Sequence, residues 1–362
     1  MKKRIFRTAA GLLAAVLLLS GNAQAVSAKK AILMDAQTGR ILMEKNADVR
    51  SLIASTTKIM TALVVCEQCN VLDRVKIPKE AVGIEGSSMY LKEGEILTVQ
   101  DLLYGLMLHS GNDAAVALAI YCGGTVEEFT ERMNDKARLL GMTGTHYANP
   151  NGLDHPEHYS TARDLAVLAA YAMENPIFSK IVSTKTVTIG PRSLKNHNKL
   201  LWMCSGADGV KTGFTKAAGR ILVSSAQRQG RRLIAVTIHD PNDWEDHIAM
   251  LESGFSGYQV RRIVSAGQEL GSIPVFGGME SQVSLFAAEN FDYALSSEEN
   301  PELIVPAPGY AYAPVAAGEE AGFAHICIGG KSVGKVAVVY GQTVELEPEQ
   351  KHGFWKGLFK GE

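Results

Sequence analysis

The stretch Ile53-Ala54-Ser55-Thr56-Thr57-Lys58-Ile59-Met60 constrains this chain more than any other. A serine stands three residues ahead of a lysine, and an apolar run follows. The spacing predicts a helix from Ser51 to about Val65, with Ser55 and Lys58 one turn apart on one face. The hydroxyl then sits at a helix N-terminus, where free N–H groups and the positive dipole end favour developing negative charge. Burial would lower the Lys58 pKa toward a neutral amine able to take the serine proton. A Ser/Thr-rich cap followed by a solvated lysine has the same four letters, so the rest of the chain must decide.

The chain is long enough for two domains, with 362 residues and 46% hydrophobic content. A formal charge of −2 gives no footing for nucleic acid or another polyanion. Residues 1–25 read as a secretory signal: Lys2, Lys3, Arg4 and Arg7, an apolar run to Leu19, then the small-residue site Ala23-Gln24-Ala25. The run is short for a membrane span, so export followed by cleavage is the expectation. Five cysteines do not make a disulfide framework in a chain this long. Cys66 and Cys69 form a C-x-x-C pair without further ligands, which reads as two packed small residues; Cys122, Cys204 and Cys327 have no evident partners.

Two strand-like runs, Ala31–Asp35 and Arg40–Glu44, flank a Gln37-Thr38-Gly39 turn and predict a hairpin. After irregular residues 71–97, Thr98 caps a helix that stops at His109-Ser110-Gly111-Asn112. A second helix should run from Asp113 to Tyr121, and a third from the Thr125–Glu128 capping box to Gly141. A fourth runs from Ser160-Thr161 to Met173 and ends before Pro176. Strand character returns near 183–190. Three strands around 208–238, joined through Gly219 and Gly230, predict an antiparallel meander, closed by a helix from about Trp244 to Phe255. The predicted fold class is therefore α/β (α+β): an antiparallel sheet with a helical lobe over residues 26–256, then a small all-β domain over 257–350.

Three short motifs stand in one order: Ser55-Thr56-Thr57-Lys58, Ser110-Gly111-Asn112 and Lys211-Thr212-Gly213. Together they resemble the S-x-x-K, S-x-N and K-T-G signatures of the penicillin-recognising serine enzymes. Flanking residues such as Met34-Asp35-Ala36, Asp208-Gly209-Val210 and Ala217-Ala218-Gly219 narrow the resemblance. They look like the D-alanyl-D-alanine carboxypeptidases, the low-molecular-mass penicillin-binding proteins of serine peptidase family S11.

The resemblance implies a β-lactamase/transpeptidase-like domain and release of the terminal D-alanine from peptidoglycan pentapeptide stems. An acyl-enzyme would form on Ser55, with Lys58 as base, Ser110 as proton relay and Asn112 bonding Lys58 or the substrate amide. Lys211 and Thr212 would hold the terminal carboxylate. Gly213 would let the substrate backbone lie along the strand, and Phe214 would share an oxyanion hole with the Ser55 N–H. β-Lactams would be covalent inhibitors, and no cofactor or metal is expected. Asn149, Asn151 and Arg163 are expected to support a loop. His109, His146, His155 and His158 lack ligand spacing and read as solvated loop residues. At His197 many relatives carry arginine, which removes the basis for a substrate contact there.

A class A β-lactamase would also need a deacylating glutamate in an E-x-x-L-N loop, and residues 113–210 contain no such pattern. A non-catalytic peptidoglycan-binding protein would have lost a motif residue, and none is lost. Within residues 351–362, Phe354, Trp355, Leu358 and Phe359 would form one stripe of a helix beside Lys356 and Lys360. With the resemblance, this implies a peripheral membrane contact. Three glycines weaken such a helix, and a frayed tail is the alternative. The expected location is the extracytoplasmic face of the bacterial cytoplasmic membrane, or the cell wall.

Overall fold

The computed structural model describes residues 26–306 and 309–348. The predicted signal segment and the C-terminal tail lie outside the described residues. The chain divides into two compact units between Phe255 and Ser256.

The first unit is built on a five-stranded antiparallel sheet. The hairpin β1 (Lys30–Asp35) and β2 (Ile41–Lys45) forms as expected, with Gly39 at φ 68° in its turn. The meander β7 (Ala207–Thr215), β8 (Gly219–Arg228) and β9 (Arg231–Ile238) supplies the rest. The order is β2-β1-β9-β8-β7, so β1 pairs with the last meander strand and β7 is left at an edge. The runs Ile221–Ala226 and Leu233–Ile238 are buried throughout, as a sheet covered on both faces requires.

The helical lobe follows its capping signals. Between α1 (Lys58–Gln68) and α2 (Val99–Leu108) lie the short strands β3 (Arg74–Lys76) and β4 (Ile96–Thr98). Thr98 and Asp101 close a reciprocal capping box at the start of α2. After α3 (Asn112–Gly123), Thr125 caps α4 (Val126–Leu139), and Thr161 caps α5 (Ala162–Glu174).

One reading is extended and one is corrected. The preceding helix ends before Pro176 as expected, but the chain does not pass straight to a strand. Asn175 caps a new helix, α6 (Pro176–Ser183), in which Pro176 holds the first position, where its missing N–H costs nothing. Residues 183–190 therefore contribute only the strand β5 (Thr186–Ile189), which pairs with β6 (Arg192–Lys195). Nor does an α-helix begin at Ser51: residues Ala54–Thr57 form a 3-10 turn, and Lys58 opens α1. The short helix α7 (Leu200–Met203) precedes β7, and α8 (Asp243–Gly257) follows β9. One apolar core joins α1 to α6 to the sheet, and α8 packs on a second cluster with Leu33, Leu222 and Leu233.

The second unit is all β. Strands β10 (Gln259–Val264) and β13 (Phe291–Leu295) form one pair. A six-stranded sheet runs β14-β16-β17-β12-β11-β15, from β11 (Glu269–Phe276), β12 (Gln282–Ala287), β14 (Pro301–Ile304), β15 (Ala311–Tyr312), β16 (Glu320–Ile328) and β17 (Lys331–Tyr340). Val283, Leu285, Ile326, Val336 and Val338 form its core. The fold is thus the α+β domain plus all-β module read from the sequence.

Candidate active site

Edge strand β7 packs against the 3-10 turn that carries Ser55, and the Ser110 loop joins α2 to α3 beside it. A Cβ added at Gly213 would come within 3.2 Å of Ile53 O and Thr56 N and 3.3 Å of Ser55 N. A side chain at residue 213 would crowd the backbone around Ser55, a reason for glycine there that the sequence reading did not supply. Ala54 is held at φ 45° and Ser110 at φ 64°, both in the left-handed region that costs a non-glycine residue energy. Ala54 immediately precedes Ser55, and Ser110 is itself one of the predicted site residues.

A cleft of about 310 Å³ opens here, lined by Ser55, Ser110, Thr212, Gly213 and Phe214 among the predicted residues, together with His197. Lys58, Asn112 and Lys211 lie behind this surface, fully or nearly buried. The Nζ of Lys58 is 3.0 Å from Ser55 Oγ and 2.6 Å from Asn112 Oδ1, and it donates to the Asn151 carbonyl. Asn112 in turn donates its Nδ2 to the Glu85 carbonyl, which fixes Oδ1 toward the lysine. A neutral amine has two N–H groups and one lone pair. The two carbonyl-type acceptors take the N–H groups, and the lone pair is left for the Ser55 O–H.

Electrostatics favours that protonation state. Burial, and then the charge of nearby Lys211, hold the Lys58 pKa well below the ordinary lysine value, against a smaller opposing pull from Asp113. Burial alone draws Lys211 down to about 7. Lys211 Nζ donates to the Thr212 carbonyl at 2.8 Å, and no carboxylate is paired with it among the described residues. Partial desolvation, followed by Lys211 and His109, pushes the His197 pKa down, so its ring is neutral at pH 7; it lies 5.2 Å from the His109 ring.

Several supporting residues carry no sequence signal. Asp113 accepts from Met89 N at 2.9 Å, Leu91 N at 3.1 Å and Ser88 Oγ at 2.6 Å, so it pins the segment beside cleft residue Ser87. The cleft is also lined by Trp244 and by Arg220 and Asp243, which form an ion pair at 2.6 Å. Asn149 and Arg163 support loops as expected: Asn149 accepts from Gly152 N at 2.7 Å, and Arg163 pairs with Asp48 and Glu44. Asn151 does more than support a loop, since its carbonyl meets Lys58. His158 is the clear correction. It is 1% exposed rather than solvated, because its ring fills the space behind Thr57. Among the described residues no group of three or more His, Cys, Asp or Glu could hold a metal ion.

A family model described as D-alanyl-D-alanine carboxypeptidase matches residues 18–242. The chain belongs to that family. The all-β module matches a second model, the C-terminal domain of penicillin-binding protein 5, over residues 258–346. D-alanyl-D-alanine carboxypeptidase DacF of Bacillus subtilis (strain 168) is 34% identical over 275 residues, covering 72% of this chain and 71% of the relative. The DacC carboxypeptidase of Escherichia coli (strain K12) is 37% identical over 283 residues, 74% of this chain and 71% of its own. Among solved structures, penicillin-binding protein 5 from Haemophilus influenzae aligns with a TM-score of 0.78 at 31% identity, over 88% of this chain and 98% of that one. The Streptomyces K15 DD-transpeptidase aligns with a TM-score of 0.62 at 37% identity, over 64% of this chain and 98% of that one. This member of the carboxypeptidase family is accordingly a serine-type D-alanyl-D-alanine carboxypeptidase.

Proposed function

We propose that the carboxypeptidase acts through an acyl-enzyme on Ser55, with the seven other predicted site residues in the roles the chemistry allows them. Lys58 takes the Ser55 proton as Oγ attacks the carbonyl between the two terminal D-alanines. The N–H groups of Ser55 and Phe214 face the oxyanion, a contribution worth roughly 3 kcal/mol per donor in comparable sites. The proton passes through Ser110 to the departing amine, D-alanine leaves, and water then releases the shortened stem. Asn112 keeps Lys58 aimed at Ser55.

Lys211 and Thr212 hold the terminal carboxylate of the substrate. A carboxylate beside Lys211 raises its pKa and restores its charge, and that charge keeps Lys58 neutral. Binding of the correct substrate end thereby sets the base for the chemical step. β7 offers an edge along which an extended stem adds as a further strand, with Gly213 at the nucleophile.

The substrate is the peptidoglycan stem, and β-lactams acylate the same serine. The site of action is extracytoplasmic, supported by the signal-like segment and by relatives named for a cell-wall reaction. Peripheral attachment through residues 352–362 accompanies it. Among the described residues no single helix is long and apolar enough to cross a membrane.

The observation that carries the mechanism is the Lys58 Nζ lying 3.0 Å from Ser55 Oγ with two carbonyl acceptors behind it. The decisive experiment compares wild type with Ser55→Ala for D-alanine release from a defined pentapeptide and for covalent labelling by fluorescent penicillin. Both should vanish in the variant. Persistent labelling would overturn Ser55 as the nucleophile.

A further inference from the structure

The sequence pairs Cys66 with Cys69 by spacing, but the structure brings Cys69 to Cys122. Cys69 is the residue that ends α1, and Cys122 sits in the last turn of α3. Each thiol is the largest single influence on the titration of the other, which places the two side by side. Both are half-buried, whereas Cys66, Cys204 and Cys327 are buried. The surrounding contacts hold the pair in place. The Cys122 thiol also donates to Gln68 Oε1 at 3.7 Å. Arg132, on α4, donates to the same Oε1 at 3.0 Å and to the Cys122 carbonyl at 2.9 Å.

We propose that Cys69 and Cys122 are an oxidisable dithiol that closes to a disulfide joining the C-terminal ends of α1 and α3. Its chemistry is thiol–disulfide exchange with an external disulfide. The Cys122 thiolate attacks one sulfur of that disulfide, forming a mixed disulfide and expelling one thiolate. Cys69 then gives up its proton, attacks the Cys122 sulfur and expels the second thiolate. The two cysteines lose two electrons together, and the external disulfide is reduced to two thiols.

The order of attack follows from the surroundings. The neighbouring Cys69 thiol, and then the Arg132 guanidinium, hold the Cys122 thiol below its usual value, while that of Cys69 is raised by Cys122 and by burial. Cys66 is no competitor, because burial pushes its thiol up to about 12.

The position gives the disulfide a structural consequence. Lys58 opens α1 and Asn112 opens α3, and these residues meet at 2.6 Å. The disulfide ties the same two helices at their opposite ends. It leaves the reacting groups untouched while making separation of the helices harder, by closing a long loop in the unfolded chain.

The test uses the full chain incubated with glutathione disulfide, then denatured and alkylated, beside a sample kept in reductant. The oxidised sample should show three alkylatable thiols against five in the reduced one. Peptide mapping should recover Cys69 joined to Cys122, and penicillin acylation should stay within about twofold. Cys66→Ala should keep the cross-link, and the oxidised chain should melt several degrees higher than Cys122→Ser under the same conditions. Five free thiols after oxidation, or a Cys66–Cys69 link in the folded protein, would overturn the proposal. Because the wild-type cross-link is mapped directly, a poorly folding variant does not rescue it.

Discussion

His158 Nε2 lies 2.7 Å from Thr57 Oγ1, two residues beyond the nucleophile on the same turn. The other ring nitrogen, Nδ1, accepts from the Ala148 N–H at 3.0 Å, which fixes the neutral tautomer with its proton on Nε2. Thr57 Oγ1 passes the interaction on by donating to the Ala54 carbonyl at 2.8 Å. The imidazole thus buttresses Ala54, the left-handed residue immediately before Ser55.

His158→Ala should leave the Ala148 N–H without its acceptor, costing about 1–3 kcal/mol of stability. Penicillin acylation should slow by about tenfold, roughly 1.4 kcal/mol of barrier, as the Ser55 turn relaxes. Acid should act on the same group. Burial, followed by neighbouring charges, pushes the His158 pKa down to about 4, and burial pushes His247 down to about 3, against about 6.5 unfolded. The unfolded chain therefore takes these protons first. Stability is fully present above about pH 6.5 and is lost as pH falls toward 4, by roughly 3 kcal/mol or more per histidine. Urea unfolding at pH 7 and 4.5 checks this; a loss undiminished in His247→Gln would refute the assignment.

Lys58→Ala should fold, because removing a buried amine also removes its desolvation cost, yet acylate about 10²–10⁴ times more slowly. Lys58→Arg should be no better. A guanidinium keeps its proton at any working pH and has no lone pair to offer Ser55. Stopped-flow acylation by a chromogenic cephalosporin measures both variants. Appreciable rescue by arginine would mean that Lys58 serves by charge and not as a base.

Lys211 should discriminate between substrate ends. Lys211→Gln is expected to depress hydrolysis of a D-alanyl-D-alanine peptide more than that of its C-terminal amide, because only the former carries the charge to be matched. With the free lysine titrating at about 7, the wild-type kcat/KM for the free acid should decline as pH rises through that value. Lys211→Arg, charged throughout, should move the alkaline limb upward. Equal losses on acid and amide would indicate that Lys211 acts on Lys58 rather than on the carboxylate.

Asp113 is the strongest structural prediction, since its carboxylate serves three donors from one adjoining segment. Asp113→Ala should destabilise the protein by about 2–4 kcal/mol by leaving Met89 N, Leu91 N and Ser88 Oγ unmatched. It should also raise KM for the peptide, because residue 87, in the cleft wall, loses its support. Chemical denaturation and steady-state kinetics test the two parts separately. An unaltered unfolding free energy would show that these bonds are dispensable.

Local chemistry was enough to place most elements. Apolar periodicity and caps such as Thr98 and Thr161 gave the helices, and glycine turns gave the meander, because these signals act over a few residues. The order of three short motifs led to the family and to the fold. What sequence could not supply was proximity between distant segments. Asp113 beside 88–91, the Asn151 carbonyl on Lys58 and His158 behind Thr57 are separated from their partners by 22 to 101 residues, and each reads alone as an ordinary loop or helix residue. The same holds for the cysteines. Cys66 and Cys69 read as packed small residues, and Cys66 is indeed buried, but the neighbourhood of Cys69 and Cys122 had no sign in their spacing. The reacting residue types are written in the sequence; their protonation states, set by burial and by neighbours brought from elsewhere in the chain, were decided by the tertiary structure.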